Sequence, residues 1–267
     1  MRQLLIGIVI GLALLWTACG DEQESEPAPG KVRQSLTQVI DTTEGDCDDS
    51  LGCIRIEIAY DLLPASHQSP ARQKINSTIE KLALRSGVDT ADTSGELNIV
   101  GSSIESYRQL RDDFPEFRQE WVLERSVYLE TDTCGILGFR YDNFEYTGGA
   151  HPNSDIQLLN LLSATGERLA LDSLLVPGGR DSLDTMGERF FRRYHQIHPD
   201  STLGSAGFWI ERGMFHLNDN FLVGDSGLTF VFNNYEIGPY ALGDTELYLP
   251  YDSIGQLIRL DCLTGKD

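Results

Sequence analysis

The chain has 267 residues, of which 41 are acidic and 21 are basic, and its formal net charge is −20. A field of that sign repels nucleic acid and anionic lipid headgroups, so a nucleic-acid-binding role is excluded and cations or basic proteins are favoured as partners. Hydrophobic residues make up 40% of the chain, which is enough for the core of one large domain or two small ones.

The N-terminal segment predicts an exported protein. Its apolar run, Leu4–Trp16, is shorter than the roughly 20 residues that cross a membrane as a helix, and it suits the core of a signal peptide. The residues LWTAC that end at Cys19 resemble the lipobox of bacterial lipoproteins. We therefore expect a signal peptide at residues 1–18 and a lipid on Cys19 that attaches the chain to a membrane. An ordinary secretory signal is the alternative.

Residues 19–45 are predicted to form a lipidated, acidic and flexible tether. The segment GDEQESEPAPGK, which follows Cys19, is rich in proline and glycine and lacks large apolar side chains, so it cannot form a core of its own. Acidic residues directly after the cysteine also resemble the surface-export signal of Bacteroidetes lipoproteins. Both a periplasm-facing position and the outer surface of the outer membrane are therefore open.

The four remaining cysteines predict disulfide bonds, because disulfides persist in exported proteins. Cys47 and Cys53 bracket the turn sequence DDSLG, which favours a local bridge between them and leaves Cys134 to pair with Cys262. Four cysteines allow three connectivities, and spacing alone does not decide among them. A zinc site is the alternative, but paired C-x-x-C spacing is absent, so no metal is predicted.

The first elements predicted after the tether are one strand and two helices. Residues 53–59, CIRIEIA, alternate apolar and polar side chains and predict a half-buried strand. Ser69–Ser86 has apolar residues at helical spacing behind a serine cap and predicts an amphipathic helix. A second helix is predicted to begin at Ser102, with Glu105 as its capping-box partner.

The rest of the chain predicts mainly strands, with one long amphipathic helix at Asp181–His198. The predicted strands are Gln119–Glu130, Ile136–Tyr146, Asn153–Leu162, Phe221–Val223, Leu228–Phe232 and Thr245–Pro250. Strands and helices do not alternate as βαβ units, so we expect an α+β fold with mainly antiparallel sheets packed against a few helices. Two closely associated subdomains are expected, at residues 46–118 and 119–267.

The stretch EYTGGAHPN, residues 145–153, contains the first candidate site. Gly148 and Gly149 can adopt positive φ and predict a tight turn that holds His151. As a general base His151 would need a nearby carboxylate, for which Glu145 or Asp155 are the local choices. A structural or ligand-facing role for His151, beside Tyr146, is favoured.

The loop at residues 232–243, FNNYEIGPYALG, contains the second candidate site. It places Tyr235, Glu236 and Tyr240 in a segment bent by glycine and proline. Aromatic side chains in a rigid loop can anchor a protein or glycan ligand, or they can pack the loop onto its own sheet.

Other motifs in the chain do not predict chemistry. His195 and His198 are three residues apart on a predicted helix but have no recognisable third ligand. A nucleophile elbow and a phosphate-binding loop are both absent from the sequence. We therefore predict no catalytic residue and no cofactor.

Several strings together carry a family resemblance. They are Tyr146–His151, Gly166–Leu175 and the segment from Phe221 to Tyr240, preceded by IEIAYDLLPASHQSPARQKINSTIEKL. The chain resembles a bacterial extracytoplasmic domain family of undefined function, and it is similar to the extracellular part of the lysozyme-sensing anti-sigma-V factor. The upstream string resembles the non-catalytic region of a peptidoglycan deacetylase, PdaC. The likeness covers about residues 50 to 256.

The resemblance implies an α+β fold and a binding role at the cell envelope, with a basic protein such as lysozyme or a cell-wall glycan as the ligand. The metal ligands of the deacetylase are not found in this sequence, so its activity is not implied. A hydrolase that uses His151 with a carboxylate is the alternative. A structural component of an envelope assembly is a third possibility.

Overall fold

The computed structural model describes residues 35–47, 52–64, 69–86, 98–210 and 213–265. The predicted signal peptide, Cys19 and most of the predicted tether lie outside these residues. The described strands are β1 (Leu36–Asp46), β2 (Gly52–Leu62), β3 (Trp121–Thr133), β4 (Ile136–Tyr146), β5 (Asn153–Leu162), β6 (Phe221–Val223), β7 (Gly227–Phe232) and β8 (Thr245–Pro250). The described helices are α1 (Pro70–Leu84), α2 (Ile99–Asp113), α3 (Leu171–Leu174), α4 (Gly179–Tyr194), α5 (Tyr251–Ile254) and α6 (Asp261–Thr264). Across these ranges, no helix is long and apolar enough to cross a membrane.

The first sheet contains five strands in the order β1-β2-β3-β4-β5. Its neighbours are antiparallel except β2 and β3, which are parallel. The chain connects β2 to β3 through α1 and α2, because parallel neighbours need a crossover. Along β2 the isoleucines at 54, 56 and 58 are buried while Arg55 and Glu57 are exposed. This alternation places one face of the sheet against the two helices and leaves the other face to solvent.

The second sheet contains three antiparallel strands in the order β6-β7-β8. It packs with α3, α4, α5 and α6 around a core of its own. Phe191 on α4 lies at the centre of this core and contacts the rings of Phe208, Phe215 and Phe232. The described residues form two large hydrophobic cores, one for each sheet, and a smaller cluster of Leu158, Leu222 and Val231 between β5 and the second sheet.

The predicted α+β class is confirmed, but the predicted boundaries differ from the observed ones. Residues 36–45 were assigned to the tether, whereas Leu36–Asp46 pairs with β2 along its whole length. Most of its side chains are exposed, so the strand has no strong apolar pattern and backbone pairing holds it. The boundary at residue 118 falls between strands of one sheet, because β2 and β3 pair directly.

Two helix ends also differ from the prediction. The second helix begins at Ile99, and Asn98 caps it by accepting a hydrogen bond from the Gly101 N–H at 3.2 Å. Ser102 lies inside the helix and donates its hydroxyl to the Asn98 carbonyl. The long helix ends at Tyr194, so His195 and His198 are not neighbours on one helical face.

Asparagine side chains join the two sheets at the outer edge of β5. The Asn220 amide accepts from the Leu158 N–H at 2.7 Å and donates to the Ile156 carbonyl at 2.8 Å. Asn233 accepts from the Ile156 N–H at 2.8 Å, and Asn160 bonds to the β6 backbone in the same two-way manner. An edge strand needs partners for its free backbone groups. Here Asn220 and Asn233 supply partners for β5, and Asn160 supplies them for β6; we call these three residues the asparagine seam.

A buried arginine links α1 to the first sheet. Arg125 on β3 donates from Nη1 to the carbonyls of Ala83 and Arg85, at 3.0 and 2.9 Å, and from Nε to the Asn143 side chain at 3.0 Å. The last carbonyls of a helix lack partners within the helix, and a cation there also complements the helix dipole. Burial lowers the pKa of Arg125, and the neighbouring Tyr141 partly offsets this effect.

Both predicted disulfides are present. Cys47–Cys53 joins the end of β1 to the start of β2 across a sequence separation of 6 residues. Cys134–Cys262 joins the turn between β3 and β4 to α6 across a separation of 128 residues. The second bridge therefore connects the first sheet to the C-terminal part of the chain.

We expect the long-range bridge to contribute more stability than the local one. Because a crosslink restricts the unfolded chain in proportion to the logarithm of the loop it closes, C134S/C262S should lose about 5 kcal/mol of unfolding free energy. The matched control C47S/C53S should lose about 2 kcal/mol. Urea unfolding followed by circular dichroism measures both values, and equal losses would contradict this prediction.

Candidate functional site

The turn between β4 and β5 begins the candidate site. Gly148 and Gly149 have φ of 93° and 118°, a region that side chains with a Cβ rarely adopt. The Tyr146 hydroxyl donates to the Gly149 carbonyl at 3.3 Å and accepts from the Gln119 side chain at 3.4 Å. Tyr146 thus braces the turn and fixes the position of the residues that follow it.

His151 extends from this turn and contacts two tyrosines. Its Nδ1 lies 2.9 Å from the Pro152 carbonyl and its Nε2 lies 3.2 Å from the Tyr235 hydroxyl. A carbonyl only accepts, so Nδ1 carries the proton and Nε2 accepts from the tyrosine in the neutral ring. The imidazole also stacks on Tyr240, with ring centroids 4.0 Å apart and an interplanar angle of 19°.

Trp209 extends the same group of rings. Its indole lies nearly parallel to Tyr235 at a centroid distance of 6.5 Å, and its backbone N–H donates to the Ile237 carbonyl at 2.9 Å. Trp209 and Tyr235 are 55% and 52% exposed, although large aromatic rings are usually covered. We call His151, Trp209, Tyr235 and Tyr240 the aromatic patch. Trp209 was not predicted to belong to a site. The one hint in the sequence is its position, an aromatic residue next to a segment rich in serine and glycine.

The loop that carries two of these rings is held by polar contacts. Tyr235 has a φ of 66°, which is uncommon for a residue with a side chain and is often found at functional positions. Both carboxylate oxygens of Glu236 accept hydrogen bonds, from the Asn218 side chain at 2.7 Å and the Asn233 N–H at 2.9 Å. Through these contacts Glu236, a candidate ligand-binding residue of this loop, also helps to hold the loop in shape.

The structure does not bring a carboxylate to His151 among the contacts of the described chain. Asp155 accepts from the Gln157 side chain at 2.6 Å. Glu145 lines a different cavity, beside Ser102 and Trp121. A histidine that acts as a general base is usually oriented by an acidic partner, and here it is oriented by a carbonyl and a tyrosine. The geometry therefore supports ring stacking more than proton transfer.

A groove of about 540 Å³ lies on the solvent face of the first sheet. Glu57, Glu124, Asp142 and Asp244 contribute carboxylates to it, and we call it the acidic groove. Its lining also includes one cationic residue, Arg125, and the uncharged residues Ala59, Ser126, Tyr128, Asn143, Phe144, Ser154 and Ile156. The loop of the aromatic patch reaches this groove through Asn234, which bonds to Asp244 by its N–H and to Ser154 by its side chain, each at 2.9 Å. The patch and the groove are thus connected.

The carboxylates of this region influence one another. Partial burial raises the pKa of Asp244, and the charges of Asp155 and Asp142 raise it further, although the Asn234 N–H and Arg140 oppose the shift. Like charges in close proximity disfavour ionisation, and an added cation would relieve their repulsion. The groove therefore has the electrostatic character of a site for a positively charged group.

Substitution of Gly149 tests how much the turn depends on glycine. Gly149→Ala should lower the free energy of unfolding by about 1–2 kcal/mol, because alanine is strained at positive φ. Space is not the cause, since a Cβ at Gly149 would contact nothing within 4 Å. The control Gly204→Ala, also with nothing within 4 Å and without a positive φ, should be nearly neutral. Equal effects in thermal unfolding would argue against backbone strain.

Comparisons with known proteins match both halves of the chain. Residues 48–154 match the family model described as deacetylase PdaC, and residues 172–252 match a family of proteins of unknown function, DUF3298. The crystal structure of a DUF3298 family member from Bacteroides fragilis is similar, with a TM-score of 0.64 and 20% identity over 87% of this chain and 96% of that one. A DUF3298 family protein from Pseudomonas aeruginosa has a TM-score of 0.61 and 15% identity over 86% and 97%.

These structures are similar in fold, and no curated protein matches the chain. The two family matches confirm the resemblance inferred from the sequence. The bounds of the two matches also correspond to the two sheets. The first match covers most of the five-stranded sheet, and the second covers α4 and the three-stranded sheet. The chain is therefore similar to the PdaC family over residues 48–154 and to the DUF3298 family of unknown function over residues 172–252.

Proposed function

We propose that this chain is a non-catalytic protein of the bacterial cell envelope that binds a basic protein of the lysozyme class. The observation that carries the proposal is the aromatic patch beside the acidic groove. The patch supplies exposed rings in fixed positions, and the groove supplies negative charge. A binding surface for a basic protein needs both.

The rings of the patch are suited to anchor a partner. Tryptophan and tyrosine are enriched among the residues that contribute most to the affinity of protein interfaces. A ring already held by a hydrogen bond or by stacking loses little conformational entropy on binding. Tyr235 is held by His151, and Tyr240 stacks on the same imidazole. The patch is therefore preorganised.

The acidic groove favours a partner of opposite charge. The net charge of −20 attracts a basic protein over long distances and accelerates its encounter at low salt. The groove then provides a local acceptor for lysine or arginine side chains, since Glu57, Glu124 and Asp244 add negative charge beside Asp142, which already pairs with Arg140 at 3.0 Å. Charge thus governs encounter and orientation, while the rings contribute affinity.

The sequence supports the class of partner and the location that we propose. The likeness to the extracellular part of a lysozyme-sensing factor selects lysozyme from among basic proteins. A signal peptide and a lipid on Cys19 would place the chain at the envelope, facing the periplasm or the outer surface. Two disulfides suit such an extracytoplasmic position.

Replacement of two exposed rings tests the patch. W209A/Y235A should weaken binding of a basic lysozyme roughly 30-fold or more, because truncation of a central aromatic anchor typically costs 2 kcal/mol or more. The matched control is Phe114→Ala, which removes a ring of similar exposure, 53%, at the end of α2. Surface plasmon resonance at low ionic strength measures all three affinities.

Two further ligands distinguish this proposal from its rivals. Cytochrome c, a basic protein of unrelated shape, should bind more weakly than lysozyme and should not respond to W209A/Y235A. If the two basic proteins bind equally, charge alone explains the attraction and the patch has no such role. If the chain sediments with insoluble peptidoglycan but does not bind lysozyme, the ligand is a wall glycan and the proposal is wrong.

The affinity should also depend on pH. Because the pKa of Asp244 is raised, this carboxylate loses its charge at a higher pH than an ordinary aspartate does as the solution is acidified. On acidification, binding of lysozyme should therefore begin to weaken at a higher pH than the titration of an ordinary aspartate would give. Asp244→Asn should bind less tightly at neutral pH and show a shallower decline. Parallel curves for the two proteins would exclude Asp244 from the interface.

A further inference from the structure

The acidic groove crosses the strands of the first sheet. Ala59 on β2 lies opposite Ser126 on β3, and the same line continues through Asp142 on β4 to Ile156 on β5. All four residues line the groove. Because neighbouring strands lie about 4.8 Å apart, the line is roughly 14 Å long. The side chains of Ala59 and Ser126 are small, so these two residues form a low floor in the groove.

Aromatic side chains lie on both sides of this floor. Residues two positions apart on a strand share a face of the sheet, so Glu124 and Tyr128 flank Ser126 on β3. Phe144 on β4 lies opposite Glu124 and is therefore on the side of the floor away from Tyr128. Phe144 is 36% exposed and Tyr128 is 41% exposed. The floor thus has one partly exposed ring along each side.

Two glutamates lie side by side next to the floor. Glu57 on β2 is directly opposite Glu124 on β3, and both side chains are exposed. Like charges at opposed positions of neighbouring strands destabilise a sheet. Within the described part of the chain, neither glutamate forms an ion pair. Their repulsion is therefore not offset by a described cation.

The arginines of the neighbouring strands are engaged elsewhere. Arg55 pairs with Glu120 at 2.6 Å. Arg140 pairs with two other carboxylates, at 3.0 and 3.1 Å. The guanidinium of Arg125 bonds to carbonyls at the end of α1, on the opposite face of the sheet. These three cations are already used, and a bound partner can supply the one that the glutamates lack.

An arginine side chain matches these features better than a lysine side chain does. Its guanidinium is planar, has five N–H donors and stacks on aromatic rings, whereas the lysine ammonium is a compact and strongly hydrated charge. Two adjacent carboxylates can accept several of these donors at once. The stem of an arginine is apolar, so it can lie on the floor between the two rings while the charged head remains near the carboxylates.

We infer that Ala59 and Ser126 form the seat of an arginine side chain that the partner inserts, with its guanidinium beside Glu57 and Glu124. The inference rests on the proposed function and adds which residue of the partner enters the groove. The seat belongs to the same surface as the aromatic patch, because the loop of the patch bonds to the lining of the groove. The partner is then held by rings at the patch and by charge at the seat.

Isothermal titration calorimetry with two synthetic peptides tests the preference for arginine. One peptide alternates glycine with arginine and the other alternates glycine with lysine, at equal length and equal charge, so only the cationic group differs. At low ionic strength the arginine peptide should bind the full-length protein about tenfold more tightly than the lysine peptide. Equal affinities would overturn the inference, because charge alone would then account for the binding.

Ser126→Leu tests the floor, because the larger side chain fills the space between the rings. The arginine peptide should then bind about tenfold more weakly, or worse. The matched control Thr43→Leu adds the same side chain at an exposed position of β1, opposite Arg55 and outside the groove, and should bind as the unchanged protein does. Circular dichroism checks that both variants fold. Identical affinities for the two variants would contradict the inference.

E57Q/E124Q separates binding from folding. Removal of both charges at nearly constant shape should weaken binding of the arginine peptide about tenfold. The urea midpoint of unfolding should stay the same or rise, because the repulsion between the two side chains is gone. A lower midpoint would assign these carboxylates to the stability of the fold and would count against the seat. The variant also supplies the binding comparison if Ser126→Leu unfolds.

Lysozyme binding distinguishes this inference from the proposed function. If lysozyme binds the unchanged protein and S126L with equal affinity, the seat is wrong and the proposed function stands. If lysozyme binds neither protein while the arginine peptide still binds selectively to the unchanged one, the seat stands and lysozyme is not the partner.

Discussion

The asparagine seam is the constraint on which the geometry of the candidate site depends. An amide side chain can donate and accept at once, so Asn220 and Asn233 occupy the edge of β5 as a further strand would, without merging the two sheets. Loss of one partner would leave buried backbone groups unpaired, at about 1–3 kcal/mol each. Because β5 follows directly after the turn of His151, the seam also fixes the distance between that turn and the loop of Tyr235. The contact between the two side chains is a consequence of how the sheets are joined.

The alternation of side chains along β3 separates charge across the first sheet. Glu124 faces the acidic groove on the solvent side, while its neighbour Arg125 enters the helical side and satisfies the end of α1. Successive residues of a strand point to opposite faces, so a register change of one residue would exchange these environments. A carboxylate would then be buried beside helical carbonyls. The pairing of β3 is therefore specified by charge as well as by its apolar residues.

Much of the fold could be predicted from local patterns in the sequence. The predicted bounds of β4, β5, β6 and β8 agree with the observed ones, and the short spacing of Cys47 and Cys53 indicated their bridge. β1 was missed because an exposed edge strand carries little apolar signal, and its stability comes from its partner. The start of α2 was misplaced because Asn98 caps one turn earlier than the serine that fits the capping-box pattern.

The candidate site was predictable only in part. His151, Tyr235 and Tyr240 were identified from their loops, and the structure brings all three together. Trp209 joins them through a backbone bond to Ile237 that no local pattern reveals. The groove depends on pairing between distant strands, which is a tertiary property. Composition gave the overall sign of the charge but not its distribution.

The placement of β1 has a mechanical consequence. Any tension applied through the residues before Leu36 enters the fold along this edge strand, whose hydrogen bonds to β2 can open one after another from the Leu36 end. The Cys47–Cys53 bridge lies at the opposite end and is covalent, so it stops such peeling at the start of β2. The intact bond then passes the tension to Cys53, so the isoleucines of β2, which hold the helical core together, bear load only once the whole of β1 has opened. Under tension, β1 can therefore detach from β2 and lengthen before the rest of the first sheet is loaded.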